Sequence, residues 1–236
     1  MAQAQTLSPA ELAVLAKFDT PTICNALEIT SPERRTLGFT SRTFHVARPQ
    51  LPPIVGYART ATVRAMQPPA RDKAAMREQR FAYFDYVAEG NYPRIMVIQD
   101  LDSSEGFGAF WGEVQTNINK GLGCLGGITN GCIRDLDMLA DGFQLLAGSI
   151  NPSHAWTHLV DFGTQVNVFG MTVQPGDLIH ADRHGAVVIP HDAARKVPAA
   201  CDLMMRREAV ILNAVKKPGF TVADLKKAIA GADEIH

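Results

Sequence analysis

The residues that could do chemistry are concentrated in one glycine-rich segment, 112–135, whose sequence is GEVQTNINKGLGCLGGITNGCIRD. The segment ends in adjacent opposite charges, Arg134 and Asp135. A guanidinium can bind a carboxylate through two parallel hydrogen bonds, and a carboxylate can bind a hard divalent cation. Free backbone N–H groups at the helix start predicted near residues 113–115 would favour a bound anion. Together these groups could hold a 2-oxo acid, with its carboxylate on Arg134 and the amides and its ketone oxygen on a metal.

Two polar patterns in the chain each allow a plainer explanation. An Arg–Asp pair that follows the predicted tight turn Asn130-Gly131 could be a surface ion pair without a ligand. His180, Asp182 and His184 alternate in a predicted hairpin, so they would share one face of it. That arrangement is typical of a metal cluster and is equally typical of a polar hairpin turn. The residue pattern alone leaves both questions open.

Other common catalytic motifs do not fit this sequence. The glycines at 121–123 do not follow a strand and open a helix, as the dinucleotide fingerprint requires, and neither a P-loop nor an HExxH pair occurs. The lysines lie in predicted helices, at helix ends or in charged stretches, whereas an imine-forming lysine usually sits in a desolvated pocket. A metal is therefore the expected stabiliser of any carbanion. The four scattered cysteines indicate buried, reduced thiols.

Periodicity and turn signals predict helices that alternate with strands through the first two thirds of the chain. The predicted helices begin at the capping box 8–11 and at 20–21, and then cover 70–89, 109–120, 191–215 with a bend at Pro198, and 222–230. The predicted strands cover 56–65, 94–99, 125–129, 143–147, 165–169 and a hairpin at 177–189. This pattern predicts an α/β domain with a mixed sheet, or two stacked sheets with helices outside.

Composition limits the classes of function. The 236 residues carry 23 Lys+Arg and 24 Asp+Glu, a formal net charge of −1, so broad binding to nucleic acid or to a membrane surface is not expected. The first residues lack a basic region followed by an apolar one, so we expect a cytoplasmic protein. The length predicts a single domain over 1–236, with a core at about 20–190 and C-terminal helices over 191–236.

The sequence GGITNGCIRD resembles the glycine-rich signature, ending in Arg-Asp, of the RraA-like family. That family includes 4-hydroxy-4-methyl-2-oxoglutarate aldolases and the regulator of ribonuclease activity A. Further stretches are similar to the family, namely GYARTATVRA, RIMVIQD, WGEVQT and PGDLIHADRHGAVVIP. The resemblance extends over roughly residues 20–210.

The resemblance implies both a fold and an activity. The fold would be an α/β/β sandwich like that of the phosphohistidine swivelling domains, with helical N- and C-terminal appendages. The assembly would be a homotrimer or homohexamer with its sites between subunits. The activity would be that of a metal-dependent lyase, using Mg²⁺ or Mn²⁺, that cleaves a 4-hydroxy-2-oxo-diacid to pyruvate, with oxaloacetate decarboxylation as a companion reaction.

Site roles also follow from the resemblance. Asp135 would be the metal ligand, and Arg134 would bind the substrate carboxylate and the leaving oxygen. Glu113 would be an acid that holds water on the metal, and Glu208 matches an acidic residue that reaches the neighbouring subunit's site. The remaining substrate contacts would come from the backbone of Gly112, Val114 and Gln115.

The sequence departs from the family pattern at three places. Asn130 stands where Asp is usual, Thr116 stands where Ala is usual, and residues 143–146 replace a Phe-Pro-Val-Phe segment. The alternative function is a non-catalytic RraA-type regulator that binds a ribonuclease, although the Gly-Glu and Arg-Asp pairs favour an enzyme. A methyltransferase is not favoured, because no glycine-rich nucleotide loop follows the first strand.

Overall fold

The computed structural model describes residues 6–236 as a curled mixed sheet with helices at both ends of the chain. The strands in that range are β1 (His45–Val46), β2 (Ile54–Arg64), β3 (Arg94–Asp100), β4 (Cys124–Ile133), β5 (Gln144–Ile150), β6 (His158–Phe162), β7 (Val166–Val168), β8 (Met171–Val173), β9 (Leu178–Asp182) and β10 (Gly185–Ile189). The helices are α1 (Pro9–Leu15), α2 (Thr20–Thr30), α3 (Lys73–Ala88), α4 (Glu113–Gly121), α5 (Val197–Val215) and α6 (Val222–Asp233), with short 3-10 turns at Pro32–Arg34 and Leu136–Met138.

The main sheet is built around four parallel strands, β2 to β5. Its order is β1–β5–β4–β3–β2–β9–β10. Strand β2 is long enough to have two antiparallel partners on one edge, since Ile54–Tyr57 pairs with β9 and Ala61–Arg64 pairs with β6. Its first ten residues are all buried, as expected of a strand covered on both faces.

Three buried clusters pack against this sheet. The first joins α1, α2 and α5 to β2, β9 and β10, and it includes Ile23 and Val197. The second lies between the sheet and the β7–β8 hairpin, and it includes Phe169. The third contains Tyr83 of α3 together with Trp111. These layers confirm the predicted α/β fold with helices at the two ends.

Helix boundaries follow local sequence signals in most places. Capping boxes start α1 at Ser8 and α6 at Thr221, as predicted. The predicted bend of the long C-terminal helix at Pro198 is wrong, because Pro198 lies in the first turn of α5. Proline lacks a backbone N–H and has a fixed φ, so it fits the first turn of a helix, where that N–H has no partner in any case.

The predicted turn at Asn130-Gly131 is also wrong, since both residues lie inside β4. The pairing of β4 with β5 is irregular at this point, between Thr129 and Cys132. The Asn130 amide compensates by bonding across to β3: its Oδ1 accepts from the Asp100 N–H at 2.8 Å, and its Nδ2 donates to the Asp100 carbonyl at 2.9 Å. An Asn-Gly sequence usually ends a strand in a turn. Here the Asn130 side chain forms two hydrogen bonds to β3, and β4 continues through this point.

The polar hairpin of β9 and β10 is a structural anchor rather than a metal cluster. His180 is fully buried, with Nδ1 3.0 Å from Thr20 Oγ1 and Nε2 3.1 Å from the Phe18 carbonyl. Asp182 accepts from the N–H groups of Thr20 and His184. These bonds attach the start of α2 to the hairpin. Across residues 6–236, no group of three or more His, Cys, Asp or Glu is placed to hold a metal.

Three of the four cysteines are buried, as the sequence predicts, and Cys24 is the exception. Cys124, Cys132 and Cys201 are buried, Cys24 is half-buried, and all four are free thiols. Burial raises the pKa of Cys24, Cys124 and Cys132 to about 11 and that of Cys201 to about 12. Among residues 6–236, none of the helices combines the length and the apolar character needed to span a bilayer.

Candidate functional site

A cavity of about 530 Å³ lies where α3, the start of α4, the end of β4 and the segment 154–159 meet. This volume is within the range of small-molecule sites in proteins. Five of the seven residues that the sequence assigns to a site line this cavity: Gly112, Val114, Gln115, Arg134 and Asp135.

A parallel backbone bridge holds the start of α4 beside the end of β4. Trp111 forms a parallel bridge with Ile133, and the Arg134 N–H donates to the Trp111 carbonyl at 3.0 Å. The next residue along, Gly112, faces Asp135 so closely that a Cβ atom at Gly112 would lie 2.6 Å from Asp135 Oδ2. A side chain at position 112 would therefore displace the carboxylate, and glycine is needed for this close approach.

The Asp135 carboxylate is held between the α4 N-terminus and a guanidinium. Its Oδ2 accepts from the Glu113 N–H at 3.2 Å and lies 3.4 Å from Arg134 Nε. The Asp135 backbone is left-handed, with φ 55° and ψ 43°. That conformation costs a non-glycine residue about 1–2 kcal/mol, although Asp tolerates it better than most residues. Such strain is commonly found at functional sites.

The first turn of α4 leaves backbone donors free next to this carboxylate. Within residues 6–236 the N–H groups of Val114 and Gln115 make no hydrogen bond, whereas the Thr116 N–H donates to the Gly112 carbonyl. Unpaired N–H groups at a helix N-terminus, together with the helix dipole, favour a bound anion.

The hydroxyl at Thr116 has a structural role in this helix. Its Oγ1 donates to the Gly112 carbonyl at 2.9 Å and accepts from the Ala140 N–H at 3.1 Å. It therefore ties α4 to the segment before β5, so the departure from the family's alanine supports the helix without entering the cavity.

One polar atom beside the cavity lacks a partner: Gln115 Oε1 is shielded from solvent and makes no hydrogen bond within residues 6–236. Arg134 Nε makes no hydrogen bond in that range either, but it has the ion pair with Asp135 Oδ2 at 3.4 Å. Arg134 Nη1 makes one long contact, 3.4 Å, with the Pro152 carbonyl.

The two predicted acids lie away from the cavity wall. Glu113 is the first residue of α4, but its side chain is not among the lining groups. Glu208 lies on α5 and does not line the cavity of its own chain. Its predicted role in a neighbouring subunit stays a prediction.

The cationic residues on α3 that line the cavity were not among the predicted site residues. Lys73, Arg77 and Arg80 are spaced i, i+4 and i+7, so they lie on one face of the helix. That spacing is visible in the sequence, but it does not reveal which site the face adjoins.

Two histidines were also missed. His154 Nδ1 lies 3.2 Å from the Ala109 carbonyl, and His158 Nδ1 lies 2.7 Å from the Trp156 carbonyl. Because a carbonyl only accepts, Nδ1 is the donor in both contacts. Both rings line the cavity.

The donor set suits a Mg²⁺-type cation. Asp135 is the one carboxylate among the described lining residues. Mg²⁺ commonly binds through one or two carboxylates and completes its shell with water and substrate oxygens, so a preformed cage of protein ligands is not required.

Comparison with known proteins gives consistent matches. A family model named RraA-like (Aldolase/RraA) matches residues 20–188. The structure of an uncharacterised protein from Pseudomonas syringae has a TM-score of 0.72 at 24% identity and covers 98% of both chains. That of Streptomyces coelicolor RraAS2, an unusual member of the RNase ES inhibitor RraA protein family, has a TM-score of 0.67 at 21% identity and covers 87% of this chain and 96% of that one.

A curated relative matches over a shorter stretch. An uncharacterised protein of Methanocaldococcus jannaschii is 28% identical over 122 residues, which is 51% of this chain and 52% of that protein. The matched stretch thus spans about half the length of that relative. The two solved structures, both below 25% identity, are evidence for the fold alone.

Proposed function

This chain belongs to the RraA-like family, and we propose that it is a divalent-metal-dependent carbon–carbon lyase that cleaves a 4-hydroxy-2-oxo-diacid to pyruvate. The family includes both lyases and non-catalytic ribonuclease regulators. The observation that carries the proposal is the convergence of Arg134, Asp135 and the free amides of Val114 and Gln115 on one cavity. A protein that acts only by binding a partner does not need this set.

In the proposed complex, the substrate's 1-carboxylate binds the N–H groups of Val114 and Gln115 and the guanidinium of Arg134. Asp135 would hold Mg²⁺ or Mn²⁺, and Glu113 would hold water on it. The bound cation would supply Lewis-acid polarisation of the 2-oxo group. The Arg134 side chain is about one third exposed, so donors remain for the leaving oxygen at C4.

Cleavage requires a base for the C4 hydroxyl proton. When that proton leaves, the C3–C4 bond breaks, a carbonyl forms at C4, and the electron pair remains on C3, where protonation gives the methyl group of pyruvate. We assign this role to His154 or His158, the histidines among the described residues that line the cavity. Loss of CO₂ from oxaloacetate leaves the same electron pair on C3, so decarboxylation is an expected companion activity.

The remaining parts of the proposal concern assembly and location. We infer that the protein forms a homotrimer or homohexamer in the cytoplasm. In that assembly Glu208, on α5, would complete the site of a neighbouring subunit.

The direct test is a pyruvate-release assay coupled to lactate dehydrogenase over a panel of 4-hydroxy-2-oxo-diacids and oxaloacetate. Activity should require Mg²⁺ or Mn²⁺, disappear with EDTA and fall at least 100-fold in Asp135→Ala. Asp137→Ala is the matched control, because Asp137 is two residues further on and does not line the cavity. If no member of the panel yields pyruvate with either metal present, the proposed function is wrong.

A non-catalytic regulator is the second candidate. It rests on family membership, because the RraA-like family also includes non-catalytic ribonuclease regulators. Stable capture of a ribonuclease by the purified protein, undiminished in Asp135→Ala, would support this candidate over the lyase.

A further inference from the structure

Helix α3 contributes a row of cations to the cavity wall, and these cations form no ion pair within residues 6–236. The row consists of Lys73, Arg77 and Arg80. The Arg77 guanidinium also lies over the Phe81 ring, 5.3 Å from its centroid, and Phe81 does not line the cavity. The acids of the same helix, such as Glu78 and Asp85, do not line the cavity.

Charge in this cavity is therefore strongly one-sided. The cationic groups come from α3 and from Arg134, and Asp135 is the one acid among the described lining residues. A divalent cation on Asp135 would make the imbalance larger. Low-dielectric walls concentrate such a field and raise the local concentration of anions.

The cavity is also larger than a pyruvyl group needs. Its volume is about 530 Å³, and apolar side chains, among them Met76, Phe84 and Phe110, line the space beside the cationic row. From Lys73 to Arg80 the row extends about 10 Å along the helix, at 1.5 Å per residue. A ligand attached at Arg134 and the α4 amides would leave this second region free for another group.

We propose that Arg77 and Arg80, supported by Lys73, form a second anion subsite that selects 2-oxo acids with an anionic group at the end remote from the 2-oxo carboxylate. This inference rests on the proposed function in one respect, namely that the 2-oxo carboxylate binds Arg134 and the N–H groups of Val114 and Gln115. Guanidinium groups bind carboxylate and phosphate in a planar, two-point manner, so the two arginines set the specificity, while Lys73 adds a point charge.

The test measures binding without turnover, by calorimetry in the presence of Mn²⁺. The probes are 2-oxoglutarate and 2-oxopentanoate, which have the same chain length and differ in whether the far end is a carboxylate or a methyl group. Wild-type protein should bind 2-oxoglutarate at least roughly 10-fold more tightly, and that preference should shrink as ionic strength rises. A third probe, 2-oxo-4-phosphonobutanoate, shows whether a phosphate-like group is accepted better than a carboxylate.

The double variant Arg77→Gln/Arg80→Gln should lose roughly 10-fold or more of its affinity for 2-oxoglutarate and keep its affinity for 2-oxopentanoate within about twofold. Both side chains are exposed, so the variant should fold normally. Arg183→Gln is the matched control, because Arg183 is exposed at the β9–β10 turn and does not line the cavity.

Two results would overturn the inference. One is a wild-type protein that binds 2-oxoglutarate no more tightly than 2-oxopentanoate, whatever reaction it catalyses. The other is a double variant that weakens both probes equally, since the arginines would then act on the 2-oxo carboxylate or on the fold. A preserved preference for the diacid without pyruvate release would contradict the proposed function and leave the subsite standing.

Discussion

Replacing Gly112 with alanine should disable the site while leaving the fold intact. The added methyl carbon would lie 2.6 Å from Asp135 Oδ2 and 3.2 Å from Arg134 Cγ. Ordinary contacts begin at 3.4 Å, so the carboxylate must move by about 0.8 Å. A displacement on the order of 1 Å at a reacting centre can lower turnover roughly 100-fold.

The backbone at Gly112 tolerates alanine, which confines the effect to the site. Its φ is −166°, an extended conformation open to any residue. Alanine is a poorer N-cap than glycine, at a cost on the order of 1 kcal/mol, so the melting temperature should fall by about 2–4 °C. Mn²⁺ binding, measured by calorimetry, should weaken about 10-fold, because the carboxylate leaves the Glu113 N–H that positions it.

Gly121→Ala is the matched control. Gly121 ends the same helix, and a Cβ there would meet nothing within 4 Å. This variant should bind Mn²⁺ and turn over like the wild type, and its stability should rise by about 0.4–1 kcal/mol. If Gly112→Ala binds Mn²⁺ and releases pyruvate as well as the wild type does, the claim that the site depends on the position of the Asp135 carboxylate is refuted.

Three further predictions concern the scaffold. Asn130→Asp should lower the free energy of unfolding by about 2–3 kcal/mol, because the new carboxylate cannot donate to the Asp100 carbonyl or to Glu105. The measurement is the urea midpoint, which should fall. An unchanged midpoint would show that these two hydrogen bonds do not stabilise the fold. Burial lowers the pKa of His180, so as the pH falls the unfolded chain takes up a proton at this residue before the folded protein does. The free energy of unfolding should therefore fall below about pH 6.5, by up to 1.36 kcal/mol per pH unit. Urea midpoints that do not fall between pH 7.5 and 5.5, or a pH dependence that His180→Gln does not reduce, would count against this prediction. The four cysteines should react with a thiol reagent roughly 100-fold faster in denaturant than in the native protein at pH 8. Burial raises the pKa of all four thiols, so the folded protein contains little of the reactive thiolate. Equal rates in the two states would show that the thiols are accessible in the native protein.

Much of the fold could be predicted because its signals are local. Capping boxes identify the starts of α1 and α6, and Thr20-Pro21 identifies the start of α2. Alternation of apolar and polar residues identifies β2, and a short apolar run identifies β3. The prediction was wrong at Asn130-Gly131, where a sequence that usually forms a turn lies inside a strand. The Asn130 side chain forms hydrogen bonds to Asp100, thirty residues away, and these bonds outweigh the local preference for a turn. No pattern of spacing in the sequence encodes that contact.

The candidate site shows the same division between local and long-range information. Residues 112–115 and Arg134-Asp135 could be found because a glycine-rich segment of the chain holds both. The opposite wall of the cavity could not be found in this way, since α3 and the histidines at 154 and 158 come from distant parts of the sequence. They meet this segment only because β3 lies between β2 and β4 and because β6 pairs with the far end of β2. Substrate selectivity, if it depends on Arg77 and Arg80, is therefore determined by the sheet topology rather than by the signature that identifies the family.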